Sequence, residues 1–355
     1  MTSPESVAAR RAVELRRLFP EGLPPLWCPA LTHYSPDGAG DAGRMAAHLA
    51  HLAPFVGGFL IPGSTGDAWE LTPAERDELR ELALVQAARL RRYVLVGVLH
   101  ATDAAMVADL QAFMAGLRRR AGAGAGDAAT ALAAARVAAF TVCPPTGAQL
   151  TQVEIRAALS RVLALGLPTA IYQLPQVTGN ELAPEVAAEL AAAYDNFLFF
   201  KDTSGADRVV LARPGLSGVF TLRGAEGDYA RWFAAAGGPY QGFLLSAANC
   251  FARELADVFA WLQAGRPGPA AALSTRVAAV VADVFALVRP LPWGNAFANA
   301  NKAMDHFFAH GARAARTAPP PRLHAGPSLP REVIAETGRL LEQHGFLPAS
   351  GYLGA

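Results

Sequence analysis

The chain has 355 residues, 52% of them hydrophobic and 17% charged, with 31 Lys+Arg against 30 Asp+Glu. That length suits a full α/β barrel with an appendage, and the composition excludes global disorder. The net charge of +1 excludes a nucleic-acid footprint at whole-chain level. No run of about 18 or more apolar residues appears, so no membrane span is expected. The opening MTSPESVAARRAVELRRLFPEG has no apolar segment of the kind a signal peptide carries, so a cytoplasmic location is expected.

In chain order, residues 1–23 read as an N-terminal helical extension. From residue 24 onward, short apolar runs alternate with amphipathic stretches. The predicted strands are 26–31, 58–61, 93–99, 138–143, 169–172, 197–200, 219–222 and 242–245. They are short, often β-branched or aromatic, and mostly lack period-2 alternation, which suits parallel strands buried on both faces. Helical patterns fill the gaps. One spans 73–90, with Thr72 as N-cap, Pro73 at the first position and Glu75 at the third; others cover 152–165 and 184–194. Eight βα units predict a (β/α)8 TIM barrel over 24–265. The absence of a GxGxxG after the first strand weakens the dinucleotide-binding alternative. The Ala/Gly-rich stretch 118–136 reads as a low-complexity surface insertion, and 266–355 as a C-terminal helical domain.

The three cysteines, Cys28, Cys143 and Cys250, are far apart and form no CxxC, so buried free thiols are expected rather than disulfides or a zinc site. The cations are more telling. Only Lys201 and Lys302 are lysines; all the others are arginine. Arginine keeps its proton and cannot serve as an amine nucleophile, so a retained lysine is a candidate for chemistry that arginine cannot do. For Lys302, drift or packing is the expected reason.

In a (β/α)8 barrel the chemistry sits at the carboxyl ends of the strands. The second run is followed by Gly63-Ser64-Thr65-Gly66-Asp67, a Gly-flanked hydroxyl loop that either cradles a carboxylate or is an ordinary turn. The fifth run ends in Tyr172, either a proton shuttle or a buried structural tyrosine. The sixth, Phe197-Leu198-Phe199-Phe200, leads into Lys201. Desolvation there lowers an amine's pKa and makes it a nucleophile; the alternative is a structural lysine paired to Asp202. Arg223, Gly224 and Glu226 follow the seventh run, and Leu245 ends the eighth. Taken together, hydroxyl cradle, phenol and amine suit a 2-oxo acid, whose carbonyl forms an iminium that acts as an electron sink.

The loop 63–67 with 71–76 (LTPAER), then 172–179 (YQLPQVTG), 200–205 (FKDTSG) and, more loosely, 242–249 (GFLLSAAN), resemble the dihydrodipicolinate synthase / N-acetylneuraminate lyase family of class I aldolases. The resemblance implies a Schiff base on Lys201, proton transfer by Tyr172, a Ser64 relay, and a 2-oxo-acid carboxylate, as in pyruvate, held by Gly63, Ser64 and Thr65. Gly224, Glu226, Arg223 and Leu245 become further candidates for substrate contact. The resemblance also implies no metal, no organic cofactor, and a homotetramer or homodimer. Departures accompany it. Val177 stands where dihydrodipicolinate synthases carry an arginine for the second substrate's carboxylate, and 141–146 (TVCPPT) lacks the family's tyrosines. Glu226 stands alone where sialic acid lyases have an acidic pair. The expected function is a lyase making or breaking a C–C bond. The alternatives are a Schiff-base dehydratase of a 2-keto-3-deoxy sugar acid and a non-catalytic 2-oxo-acid binder. Arg223 and His100 are expected to be structural, with a substitute role in binding or relay left open.

Overall fold

A computed structural model describes residues 4–121, 127–213 and 215–354. Eight parallel strands close into a barrel: β1 (Leu26–Pro29), β2 (Gly58–Ile61), β3 (Tyr93–Gly97), β4 (Val137–Val142), β5 (Thr169–Gln173), β6 (Phe197–Asp202), β7 (Phe220–Arg223) and β8 (Gly242–Leu244). The seam is the β1–β8 pairing, with Leu26 opposite Phe243. Every predicted run contains its strand to within a few residues. The sixth strand is longer than its apolar stretch, because Lys201 and Asp202 still pair, opposite Leu222 and Arg223.

Strand periodicity sorts the side chains. Trp27, Leu60, Leu95, Ala139, Ala170, Phe199, Leu222 and Leu244 point inward and fill the barrel. Their outward neighbours, among them Phe59, Val94, Phe140, Ile171, Phe200 and Phe243, pack under the surrounding helices. Two residues further along each inward row come Thr141, Tyr172, Lys201, Gly224 and Ser246. The row that fills the barrel therefore also aims the residues at its mouth.

Helix Pro73–Leu90 starts as its sequence predicts. Thr72 Oγ1 accepts from the Glu75 N–H at 3.3 Å, and the Glu75 carboxylate accepts from the Thr72 N–H at 2.8 Å. Helix Pro4–Leu18 closes the base of the barrel. Leu15 and Leu18 join the interior cluster, and Arg11, wholly buried, donates to the carbonyls of Phe197, Ala191, Tyr194 and Ser217. In the stretch read as a low-complexity insertion, helix Asp103–Ala121 runs in from one side and helix Ala128–Ala134 follows. Ala131 and Leu132 of the second helix are buried, while 122–126 lie outside the described residues. This part of the stretch packs on the barrel because Asp127 caps a helix with an apolar face.

After β8 the chain is helical: Ala248–Gln263, Pro267–Val288, Ala296–His310 and Arg331–Gln343, with the short helix Ala314–Thr317 between the last two. Pro267–Val288 is long and apolar enough, by length and composition, to cross a bilayer. Here its Val277, Val280, Val281, Val284 and Val288 are buried among neighbouring helices. All three cysteines are buried and free.

Candidate active site

Lys201 and Tyr172 stand opposite each other on neighbouring strands, and Lys201 Nζ lies 3.9 Å from the centroid of the Tyr172 ring. Only 4% of Lys201 is exposed. Burial pushes its pKa down from 10.5 to about 7, while Cys143, Glu226 and Cys28 pull weakly the other way. The alternative pairing with Asp202 is not made. Asp202 points outward, where its carboxylate accepts from the Ser204 N–H at 2.9 Å. Gly224 explains how the lysine fits: a Cβ there would stand 2.3 Å from Thr203 Oγ1 and 2.7 Å from Lys201 Cε, so the strand end leaves space only for glycine.

The Tyr172 phenol is pushed above its ordinary pKa by burial, with the adjacent hydroxyls of Thr203 and Ser64 acting in the opposite direction. Ser64 opens a short 3-10 turn, Ser64–Gly66, whose first N–H groups have no acceptor inside it. The turn is pinned from several sides. Trp69 Nε1 donates to Ser64 Oγ at 3.0 Å, Asn295 Nδ2 to the Ser64 carbonyl at 3.2 Å, and Thr32 Oγ1 to the Gly66 carbonyl at 2.7 Å. Ser64 and Thr65 are both buried. Since Ser64 Oγ accepts from the indole, its own proton is free to point toward the phenol.

Glu226 is held just beyond Gly224. Its Oε1 accepts from Ser246 Oγ at 2.6 Å and from the Ala247 N–H at 3.0 Å; its Oε2 accepts from the Tyr229 hydroxyl at 2.9 Å. Burial raises its pKa despite these donors. Arg223 and Leu245 are placed differently. Strand alternation turns both outward. Arg223 makes a two-pronged pair with Asp207 at 3.0 Å and donates to the carbonyls of Ala225 and Gly227, so it shapes the loop that carries Glu226. The Leu245 side chain sits in the core beneath the helices, leaving only its backbone near the mouth. His100 pairs with Asp109 at 2.7 Å in a cluster with Arg76 and Arg80, and no contact links it to Tyr172.

Several residues at the mouth carried no sequence signal. Trp69 braces the Ser64 hydroxyl. Thr141 Oγ1 is buried with no hydrogen-bond partner among the described residues, a state that favours a polar ligand atom beside it. Cys143, Leu99, Leu174 and Ala68 pack around Tyr172 and make that side apolar. Lys302, expected to be drift or packing, is buried and paired to Asp67 Oδ2 at 2.7 Å, with Tyr34 also donating to Asp67 at 3.0 Å. The pair ties the end of the 63–67 loop to helix Ala296–His310.

The sequence profile of the dihydrodipicolinate synthetase family matches residues 120–302, just over half of the chain, including Tyr172, Lys201 and the whole Glu226 loop. The chain belongs to this family. With it the protein joins the aldolase-type lyases. It is 27% identical over 224 residues to a 4-hydroxy-tetrahydrodipicolinate synthase of Agrobacterium fabrum, covering 62% of this chain and 68% of that one. It is 32% identical over 194 residues to the Xylella fastidiosa enzyme of the same name, covering 53% and 57%. These alignments span about three fifths to two thirds of the curated relatives. Among solved structures, a prophage protein of the dihydrodipicolinic acid synthase family from E. coli K12, in complex with pyruvate, superposes with a TM-score of 0.69 at 19% identity. That match covers 91% of this chain and 99% of that one, and at such identity it speaks for the fold.

Proposed function

We propose that this protein is a class I lyase that acts on pyruvate or another 2-oxo acid through a Schiff base on Lys201, making or breaking a C–C bond. The observation that carries the reading is a buried, nearly unique lysine whose ammonium is destabilised to a pKa of about 7 beside the Tyr172 phenol. A neutral amine adds to the 2-oxo carbon, and the resulting hydroxyl leaves as water once protonated. The lone pair on nitrogen then completes the iminium. Tyr172, with Ser64 behind it, is the group for moving protons to and from that oxygen and the adjacent carbon. The turn that opens at Ser64 and Thr65 supports the substrate carboxylate, with Gly63 allowing close approach.

Glu226 favours one further reading. A buried carboxyl with a raised pKa is suited to protonate a departing hydroxyl, as a dehydratase of a 2-keto-3-deoxy sugar acid requires. We also place the protein in the cytoplasm as a homotetramer or homodimer, which light scattering on the purified chain tests. The chemistry is tested by borohydride reduction in the presence of pyruvate and a panel of longer 2-oxo acids, read by intact mass. A single reduced adduct on Lys201, absent from Lys201→Arg, is expected. An adduct that persists in that variant, or that maps to Lys302, overturns the mechanism. Product analysis with the trapped acid then separates aldol cleavage from dehydration.

A further inference from the structure

Five of the chain's 8 histidines, His33, His48, His51, His306 and His310, converge where helix Ala42–Leu52 and the loop before it meet helix Ala296–His310. The reaction proposed above uses none of them. His33, His48 and Asp305 are all buried, and one ligand atom from each lies within 4.8 Å of the others. His33 Nε2 is 2.7 Å from His48 Nδ1 and 3.8 Å from Asp305 Oδ2. In a tetrahedral zinc site with bonds of about 2.05 Å, ligand atoms stand about 3.3 Å apart. The two distances bracket that spacing, so shifts of about half an ångström bring both His33 pairs to it, and His48 stands within 4.8 Å of Asp305.

The surroundings of His48 are those of a ligand. Its Nε2 faces the Asn249 carbonyl at 3.1 Å and must carry a proton to meet it. Its Nδ1 is therefore a lone pair, oriented by the donor–carbonyl contact that metal-bound histidines commonly make with their other nitrogen. Without an ion, His33 Nε2–H is shared with His48 Nδ1. On binding, that proton moves to His33 Nδ1 and none is lost.

We propose that His33 Nε2, His48 Nδ1 and Asp305 form a binding site for one divalent transition-metal ion, with its fourth position open to the adjoining cleft. That cleft, of about 500 Å3, is lined by His33, Asp305, His306 and His310 among others. His306 Nε2 is buried and has no hydrogen-bond partner among the described residues. Asp305 keeps coordination capacity, since a carboxylate has about four lone-pair sites and, among the described residues, its donors are the Arg44 guanidinium and the Tyr352 hydroxyl. Arg44 also cancels the carboxylate's charge, so the site attracts an ion through imidazole nitrogen rather than net charge. That selects zinc, cobalt, nickel or copper over magnesium or calcium. The ion would join three segments: the loop after β1, helix Ala42–Leu52 and helix Ala296–His310. It stands apart from the Lys201 chemistry and needs no part of it.

The test uses the full chain, stripped with EDTA and titrated with ZnCl2 by calorimetry, with CoCl2 absorption as a second readout. One ion per chain is expected, with a Kd below about 1 µM. His33→Gln and Asp305→Asn should each weaken it by about 100-fold or more and abolish the visible cobalt band. His100→Gln, whose ring pairs with Asp109 outside this cluster, should leave both readouts unchanged. A circular-dichroism melt run on each variant separates lost binding from lost fold, and His33→Gln, on a loop, is the variant on which the decision rests. The proposal fails if the wild-type chain takes up no ion at about 100 µM, or if folded His33→Gln binds as tightly as wild type. Borohydride trapping at Lys201 is unaffected by either outcome, so this site and the lyase reading stand or fall separately.

Discussion

At the scale of single residues, the nucleophile role proposed for Lys201 couples function to pH. Only the neutral amine attacks, so kcat/KM should rise about tenfold per pH unit below pH 7 and flatten above it, reporting the free-enzyme pKa. Initial rates on the true substrate between about pH 5.5 and 9.5 test this; a limb still climbing at about pH 9 would mean an ordinary lysine. The same burial has a thermodynamic sign. The unfolded chain binds the Lys201 proton up to about pH 10.5 and the folded chain only up to about 7, so stability rises with pH between those values. Tyr172→Phe should lower turnover by about 100- to 10,000-fold with an unchanged melt, and Ser64→Ala by less, because water replaces one hydroxyl in part. Near-full activity in Tyr172→Phe would move the proton-transfer role elsewhere. Val177 makes the third case. It sits on the short helix Pro175–Thr178, 41% exposed, and supplies no cation for a second carboxylate. Arg223, the neighbouring candidate, is committed to Asp207. The protein should therefore be a poor dihydrodipicolinate synthase, turning over pyruvate and aspartate semialdehyde at less than about 1 per second. Faster turnover in a coupled assay refutes that.

Among the elements, the helix Pro4–Leu18 is the one whose role is least visible in its own residues. It looks like an amphipathic extension, yet its Arg11 ends in the barrel base and satisfies carbonyls from β6, from helix Pro184–Ala193 and its C-cap, and from the turn before β7. Arg11→Met removes those donors and leaves buried acceptors, at about 1–3 kcal/mol for such a group and more when several are involved. We expect a loss of about 2–4 kcal/mol in urea unfolding, with the Lys201 adduct still forming. A change under about 0.5 kcal/mol would show that the helix is peripheral. The strands themselves were legible from sequence because parallel strands covered on both faces read as plain apolar runs. Stretch 118–136 was less legible: its composition resembles a linker, but the Asp127 cap and Leu132 anchor a helix inside it.

Across the whole molecule, the Asp67–Lys302 pair joins the Gly63–Asp67 loop to the C-terminal helices. Both side chains are buried, so breaking the pair from one side strands a charge, at about 3–5 kcal/mol. Lys302→Met should cost about that much and loosen the Ser64 turn, seen as a raised KM for the 2-oxo acid. Asp67→Asn combined with Lys302→Met should recover a large part of the stability, since no charge is then left alone. If the double variant is as unstable as the single one, the pair is held for geometry rather than charge balance.

The sequence alone determined the barrel and its eight strands in order, and it picked out Lys201, Tyr172 and Ser64 as candidates at the strand ends. These are local facts: an apolar run, a turn, and the residue that follows a strand's end. It also singled out Lys201 by chemistry, since arginine has no neutral form to offer. Only the tertiary structure decided which strand-end residues face the mouth. Arg223 and Leu245 sit at strand ends but on the outward parity, whereas Gly224 and Glu226 lie inward, and a shift of one residue in a period of two reverses the face. Tertiary structure alone brought Lys302 to Asp67, Trp69 and Asn295 to Ser64, and His33 and His48 to Asp305. Those partners stand up to 272 positions apart in the chain, and such encounters depend on barrel closure and on how the C-terminal helices fold back, which no local pattern encodes.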